Sequence, residues 1–355
     1  MEIGNKIKQL RYKAGLTQEQ LASKLGISAQ SISKWENAVT MPDIMLLPSL
    51  ASELGVTIDD LFDLTVDQRL QRIDRRLDLE EEFSVEIFQE YESFLKTQLD
   101  ENLDKTKIFS LLANLYHHRM EADAKRVSKY AREAIMRSPE KKDCQWLLQK
   151  AEGASVWDWN ISNHTVIIDF YKNVIENDLI EPKTPMPYYE VMDNLIADHR
   201  TKEARQYLEI YMTLPAHKPF LVPVYKAHIA LAEYDVESAD KIMEEALREF
   251  SDNSGFLFET AQYHARKCEY DLAIKYYEMS WNMEETKKPR FTDALHGIAI
   301  IYEILGEYEK AIEICDRMIL CIKEEWGYND GDAAVLEAER EKARLQGVLF
   351  TRGNA

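Results

Sequence analysis

The sequence predicts an all-α protein: a compact N-terminal bundle of five helices, then a long array of paired helices. Three observations predict it. Apolar residues recur at intervals of three and four along most of the 355-residue chain, the spacing of one helical face. No alternating β-branched run appears, and twelve glycines and ten prolines are few for this length. Beyond about residue 185, the same small and apolar positions return every 34–38 residues, the mark of a stacked repeat.

The elements follow in order. Ile3, Ile7 and Leu10 give a first helix its apolar face, with Lys6, Lys8, Arg11 and Lys13 interleaved. Thr17 and Gln20 have the spacing of a capping box at the start of a second helix. Leu21, Ala22 and Leu25 form its inner face, and Gly26 stops it at a position suited to left-handed backbone. Ile27 packs inward and Ser28 caps a third helix, on which Ile32 and Trp35 face the core. Ala29, Gln30, Ser31, Ser33 and Lys34 are left outside. Pro42 and Asp43 open a fourth helix carried by Leu46, Leu47, Leu50, Ala51 and Leu54, with Pro48 one turn in and Gly55 at its end. Thr57 caps a short fifth helix containing Ile58, Leu61 and Phe62.

The second and third helices have the spacing of a helix-turn-helix. The wider set Arg11, Gly15-Leu16-Thr17-Gln18, Leu21-Ala22, Leu25-Gly26-Ile27-Ser28, Ser33-Lys34-Trp35-Glu36-Asn37, Pro42 and Leu54-Gly55-Val56 resembles the Cro/C1 (Xre-type) repressor domain. The resemblance covers residues 1–64 and implies a λ-repressor-like fold that binds double-stranded DNA. Its third helix would enter the major groove, which admits an α-helix. Gln30 and Ser31, in the first turn, are then expected to read base edges, with Ser28, Ala29 and Ser33 beside them. Gln18, Lys24, Lys34 and Asn37 are expected to hold phosphates. Arg11 and Glu36 commonly pair in the resembled family, so an ion pair fixing helix geometry is favoured over a phosphate contact for Arg11.

Charge distribution agrees. The net charge is −19, yet residues 1–64 hold six basic side chains, all before position 37 and beside only three acids. That clusters positive charge on the first three helices, as a phosphate footprint requires. The acidic remainder argues against a second nucleic-acid site. Cys144, Cys268, Cys315 and Cys321 show no CxxC spacing and suit a reducing cytosol. No run approaches 18 apolar residues and no signal peptide is evident, so a soluble cytoplasmic protein without membrane contact is expected.

Residues 65–80 read as a connecting helix, since Leu70, Ile73 and Leu77 recur at helical spacing before Glu80-Glu81-Glu82. Residues 81–355 read as a helical repeat domain. Its clearest unit is Leu295, Ala299, Tyr302, Gly306, Tyr308, Ala311, Cys315 and Met318. Earlier units are Ala261/Tyr270/Ala273/Tyr277, Ala227/Ala239/Met243/Ala246 and Met192/Ala204/Leu208/Tyr211. A weaker one is Leu111/Leu115/Val127/Ala131/Ala134/Pro139. These are similar to the 34-residue tetratricopeptide (TPR) repeat, which implies a right-handed superhelix. Trp157-Asp158-Trp159 with Pro182, Pro185 and Pro187 suggests an irregular hairpin and loop.

The inward positions of TPR repeats correspond here to Tyr116, Arg119, Tyr189, Asp193, His228, Gln262, Arg266, His296 and Glu303. Mixed aromatic, amide and charged groups suit an extended peptide. The histidines show no metal spacing, and no phosphate loop, nucleophile elbow or HExxH is present, so neither metal, cofactor nor enzyme is expected. The whole resembles the peptide-pheromone-responsive regulators of Gram-positive bacteria. It implies a transcriptional regulator that binds a pseudo-palindromic operator as a homodimer and responds to a peptide or protein effector. Two other readings remain open: an antitoxin-like interaction protein with autoregulatory DNA binding, and a scaffold that has lost DNA binding.

Overall fold

The structure is a computed structural model describing residues 3–56, 58, 61–62, 65–101, 105–140, 142–153, 163–177 and 183–353. Its regular elements among these residues are all helical. The chain forms two compact units, residues 1–78 with 83–118, and residues 79–82 with 119–355.

Helices α1 (Ile3–Lys13), α2 (Gln18–Leu25) and α3 (Ala29–Glu36) begin the first unit. Thr17 Oγ1 accepts from the Gln20 N–H while the Gln20 amide oxygen accepts from the Thr17 N–H, completing the expected capping box. Gly26 ends α2 at φ 68°, and Ser28 caps α3. The fourth helix departs from the sequence reading. Asp43 caps a 3-10 turn, Ile44–Leu46, and α4 (Leu47–Leu54) begins only there, with Pro48 in its first two positions. Pro48 has no N–H to close an α-turn onto Ile44, so the Ile44 carbonyl is taken by Leu47 in a tighter turn. Thr57, the expected cap of the fifth helix, lies outside the described residues. Leu61 nonetheless reaches the core of Ile3, Ile7, Leu21, Ile32, Trp35, Leu50 and Leu54.

The connector α5 (Val66–Leu79) does more than connect. Its Leu70 and Ile73 are buried with Phe83 of the following segment and with Phe88, Tyr91, Leu95, Ile108, Leu111 and Leu115 of α6 (Val85–Glu101) and α7 (Lys105–Arg137). The repeat unit expected at 108–141 is absent, because α7 is one unbroken 33-residue helix. The segment His117 to Lys125 contains neither glycine nor proline, so nothing there ends a helix.

After α8 (Lys142–Ala151) and α9 (Thr165–Asn177), four hairpins fall where the repeat spacing puts them. They are α10 (Met186–Ala197) with α11 (Thr201–Thr213), α12 (Leu221–Ala232) with α13 (Val236–Phe250), α14 (Ser254–Arg266) with α15 (Tyr270–Met283), and α16 (Asp293–Leu305) with α17 (Tyr308–Glu324). Ala204, Ala239, Ala273 and Ala311 open the second helices with no exposed surface, since close approach of the paired backbones leaves room for little more than a methyl. Each turn also demands one residue at positive φ: His199 (56°), Tyr234 (64°), Cys268 (59°) and Gly306 (76°). Glycine supplies only the last. A final helix, α18 (Ala333–Gly353), sets Leu345 against Tyr308, Ala311 and Cys315, covering the end of the stack. Trp157, Trp159 and Pro182 lie outside the described residues.

Candidate nucleic-acid interface and repeat groove

On α3, burial of Ile32, Trp35 and Glu36 pins the helix by one face. The opposite face holds Gln30 and Lys34, both exposed and without a side-chain hydrogen bond or ion pair among the described residues. Ala29, Ser31 and Ser33 are half-buried beside them. The Ser28 hydroxyl accepts from the Ser31 N–H at 3.2 Å and lies 2.9 Å from the Ser31 hydroxyl, so both serines serve the cap. Asn37 donates to the Ser33 carbonyl at 2.8 Å and closes the helix.

Behind this face lies a buried ion pair. Arg11 donates to both Glu36 carboxylate oxygens, at 2.5 and 2.9 Å, and to the Leu16 carbonyl at 2.8 Å. The two side chains are 5% and 1% exposed. Burial pushes the Glu36 carboxyl up, but hydrogen bonds from Arg11 and Gln18 outweigh it and hold the group below the usual carboxylate range. Arg11 is thus structural, as the sequence favoured. Two expected phosphate contacts are engaged within the domain: the Gln18 amide donates to Glu36 at 2.7 Å, and Lys24 pairs with Glu53 at 2.6 Å. The Lys24 pair is exposed, hence weak and readily exchanged for another anion.

In the second unit, α10, α12 and α14 line one groove-like cavity of about 1070 Å³. Of the residues expected on this wall, Tyr189, Asp193, His228, Gln262 and Arg266 meet there. Tyr116 and Arg119 do not, because they sit on the unbroken α7, Tyr116 packing edge-on against Phe88 of the first unit. His296 and Glu303 also lie outside this cavity; Glu303 accepts from Arg344 of α18 at 2.6 Å. Sequence reasoning missed Tyr225, Glu259 and Lys218, which line it. A signal existed: Tyr225 and Glu259 lie one turn before His228 and Gln262, on the same helical face. Lys218 is set by Tyr211, whose hydroxyl accepts from the Lys218 N–H at 2.7 Å.

The cavity's electrostatics are unusual. Withdrawal from bulk water raises Asp193 to about 6, with Glu190 adding to the rise and Tyr225 and Arg266 opposing it. Burial and the charge of Asp193 push Glu259 up against Arg266 and Lys218. Burial, then Arg266, lowers His228 to about 3, so it is neutral. His228 is 7% exposed, and its Nε2 pairs with no protein atom among the described residues.

Comparisons with known proteins bear on the N-terminal part. The helix-turn-helix family model (HTH_3) matches residues 7–61. The HTH-type transcriptional activator BcrR of Enterococcus faecalis is 44% identical over 61 residues, 17% of this chain and 30% of that protein. An uncharacterized HTH-type transcriptional regulator of Methanocaldococcus jannaschii is 43% identical over 58 residues, 16% of this chain and 88% of that protein. The chain therefore spans under a third of the first relative. Among solved structures it is similar to Bacillus thuringiensis PlcR in complex with the peptide PapR7 and DNA, at 12% identity and TM-score 0.25, covering 97% of this chain and 98% of that one. It is also similar to the pheromone receptor Rgg2 of Streptococcus dysgalactiae, at 16% identity and TM-score 0.25, covering 78% and 99%. No helix among the described residues is long and apolar enough to cross a membrane. With the capped α2–α3 pair, its ion-pair brace and matched relatives all in the same sixty residues, the chain belongs to the helix-turn-helix transcriptional regulators of Cro/C1 type.

Proposed function

We propose that the protein is a cytoplasmic regulator that binds operator DNA sequence-specifically as a homodimer, residues 1–64 reading DNA and residues 81–355 supplying dimerisation and effector sensing. The observation that carries this reading is the outward face of α3, where Gln30 and Lys34 stand exposed and uncommitted on a helix held rigidly from behind. A Gln amide can pair bidentately with adenine. Gln30→Ala is expected to cost about 1–3 kcal/mol on the preferred site and far less on random DNA. Equal loss on both, measured by competition binding, removes the base-reading role.

Lys34 is expected to meet phosphate. Lys34→Ala should weaken all sequences alike and lower the slope of log affinity against log salt by roughly one unit. An unchanged slope excludes the contact. Ser28 and Ser31 would meet bases only alongside the cap bonds they make with each other. Asn37 and Gln18 would reach phosphate only while keeping their bonds to Ser33 and Glu36.

For the groove, the reading is supported by three helix faces converging on one cavity, the span an extended peptide would cover. A ligand that favours one packing of neighbouring repeats can shift the equilibrium without strain elsewhere. Replacing Gln262 and Arg266 together with Ala is expected to abolish any response of operator affinity to cell extract or peptide. If the parent protein's affinity responds to no fraction, the second unit serves dimerisation alone.

A further inference from the structure

We infer that the α10–α12–α14 cavity holds a cationic, multiple N–H donor group of a short peptide, seated between Asp193 and Glu259. The inference rests on the reading of this cavity as the effector site and deepens it by naming the chemistry recognised.

Asp193 comes from α10 and Glu259 from α14, on walls separated by α12. Neither makes an ion pair within 4 Å among the described residues, although Arg266 and Lys218 line the same cavity. Those two cations are exposed and solvated. The charge of Asp193 pushes Glu259 up across the opening, while Arg266 draws on both carboxyls and Lys218 on Glu259 without closing an ion pair on either. A cation placed between them relieves that repulsion, and at cavity distances it is screened less than at an open surface.

His228 supplies an independent sign of an occupant. It is buried on the intervening helix, lines the cavity, and leaves Nε2 unpaired. An unsatisfied buried polar atom costs about 1–3 kcal/mol, so such atoms are ordinarily paired. A peptide polar group entering beside the two carboxylates can pair it. A bare metal ion fits less well, because no three His, Cys, Asp or Glu side chains among the described residues converge at metal-ligating geometry.

The cavity also has a neighbour. A recess of about 260 Å³ shares Lys218, Leu221 and Glu259 with it and is walled by Phe220, Phe258, Trp281 and Phe291. A peptide seated on Asp193 and Glu259 can therefore place an aromatic or large apolar side chain in this recess. Charge at one end and an aromatic anchor at the other fix direction along the groove.

Titration adds a readout. Asp193 must be ionised to hold the cation, and it is held at about 6. Around it stand Tyr189 and Glu190 of its own helix, Tyr225 and His228 of α12, Glu259 and Arg266 of α14, and Lys218 of the loop before α12. His228, at about 3, stays neutral through this range. Binding of a cationic peptide is expected to weaken as pH falls through 6.

The test uses the full chain and three pools of synthetic heptapeptides, each containing one Phe or Trp: one pool with Lys or Arg, one with Asp or Glu, one uncharged. Each pool is made with free and with acetylated N-termini, and retention is measured by equilibrium dialysis with mass spectrometry. The expected result is at least tenfold stronger retention of cationic over acidic peptides, reduced at least tenfold by Asp193→Asn with Glu259→Gln. Preference for the cationic pool that survives acetylation assigns the cation to a side chain; retention of the uncharged free-amine pool that is lost with acetylation assigns it to the α-amino terminus. Equal or stronger retention of acetylated acidic or uncharged peptides, sensitive to Gln262→Ala with Arg266→Ala but not to the carboxylate changes, overturns the inference and leaves the effector reading standing. Retention of no pool overturns both.

Discussion

Replacing Glu36 with Ala should unfold the N-terminal domain of an otherwise intact chain. The change leaves the Arg11 guanidinium buried at 5% exposure without its carboxylate partner. Breaking a buried pair from one side costs about 3–5 kcal/mol, because the surviving charge keeps its desolvation penalty. The core that runs from Ile3 to Leu61 is small and has about that much stability to lose. The Gln18 amide loses its acceptor in the same step. Hydrogen exchange on the full chain reads the effect directly: amides of α1, α2 and α3 should lose protection while those of α10–α17 keep theirs. Unchanged protection in α1–α3 would show that the pair contributes nothing. Replacing both partners, Arg11→Met with Glu36→Leu, should recover most of the loss, since an apolar pair leaves no orphan charge. Acid tests the same bond. Glu36 is depressed in the folded state, so its contribution is complete above the unfolded carboxylate range and fades as pH falls through the lower folded value. Protection of α1–α3 should therefore decline below about pH 4.5, the ordinary value for Glu.

Gly4→Ala is expected to destabilise the same three helices, against the direction that helix propensity predicts. In an open helix this change gains up to about 1 kcal/mol. Here a Cβ at position 4 would lie 2.0 Å from the Trp35 carbonyl oxygen and 3.1 Å from its carbon. Both atoms are backbone, so no rotamer relieves the clash and α1 must move away from α3. Overpacking of this kind costs about 1–3 kcal/mol, and a backbone-on-backbone collision belongs at the upper end. Chemical denaturation followed by exchange in α1 and α3 checks it. Equal or greater protection in the variant would mean that the two helices are not in contact at Gly4.

Much of this was legible in the sequence because the signals are local. The capping box of Thr17 and Gln20, the left-handed stop at Gly26 and the Ser28 cap each rest on residues within one turn of each other, and each stands where it was expected. The four hairpins from α10 to α17 were legible because a close backbone approach needs Ala at a fixed interval. Gly4 was not legible, because only the distance to Trp35 distinguishes it from an ordinary helical glycine. The turns at His199, Tyr234 and Cys268 adopt positive φ without glycine, so they announced nothing in the sequence. The unit assigned to Leu111–Pro139 failed for the complementary reason. Its apolar spacing fits a hairpin, yet with no breaker between His117 and Lys125 one long helix satisfies every backbone group at lower cost.

The groove was half legible. Family positions found Tyr189, Asp193, His228, Gln262 and Arg266, which share one cavity. They carried the same pattern too far at both ends. Tyr116 belongs to α7, and α18, which the repeat spacing did not announce, brings Arg344 to Glu303. Tyr225 and Glu259 were within reach of periodicity alone, one turn back along helices already identified.

The most direct test of the central claim is selection of binding sites from random double-stranded DNA by the purified full chain at physiological salt. The expected result is a pseudo-palindrome whose half-sites are centred about 10 base pairs apart or a multiple of that, with enrichment lost in Gln30→Ala. Recovery of no sequence above the random background, or of a site whose enrichment is untouched by Gln30→Ala, would contradict the account.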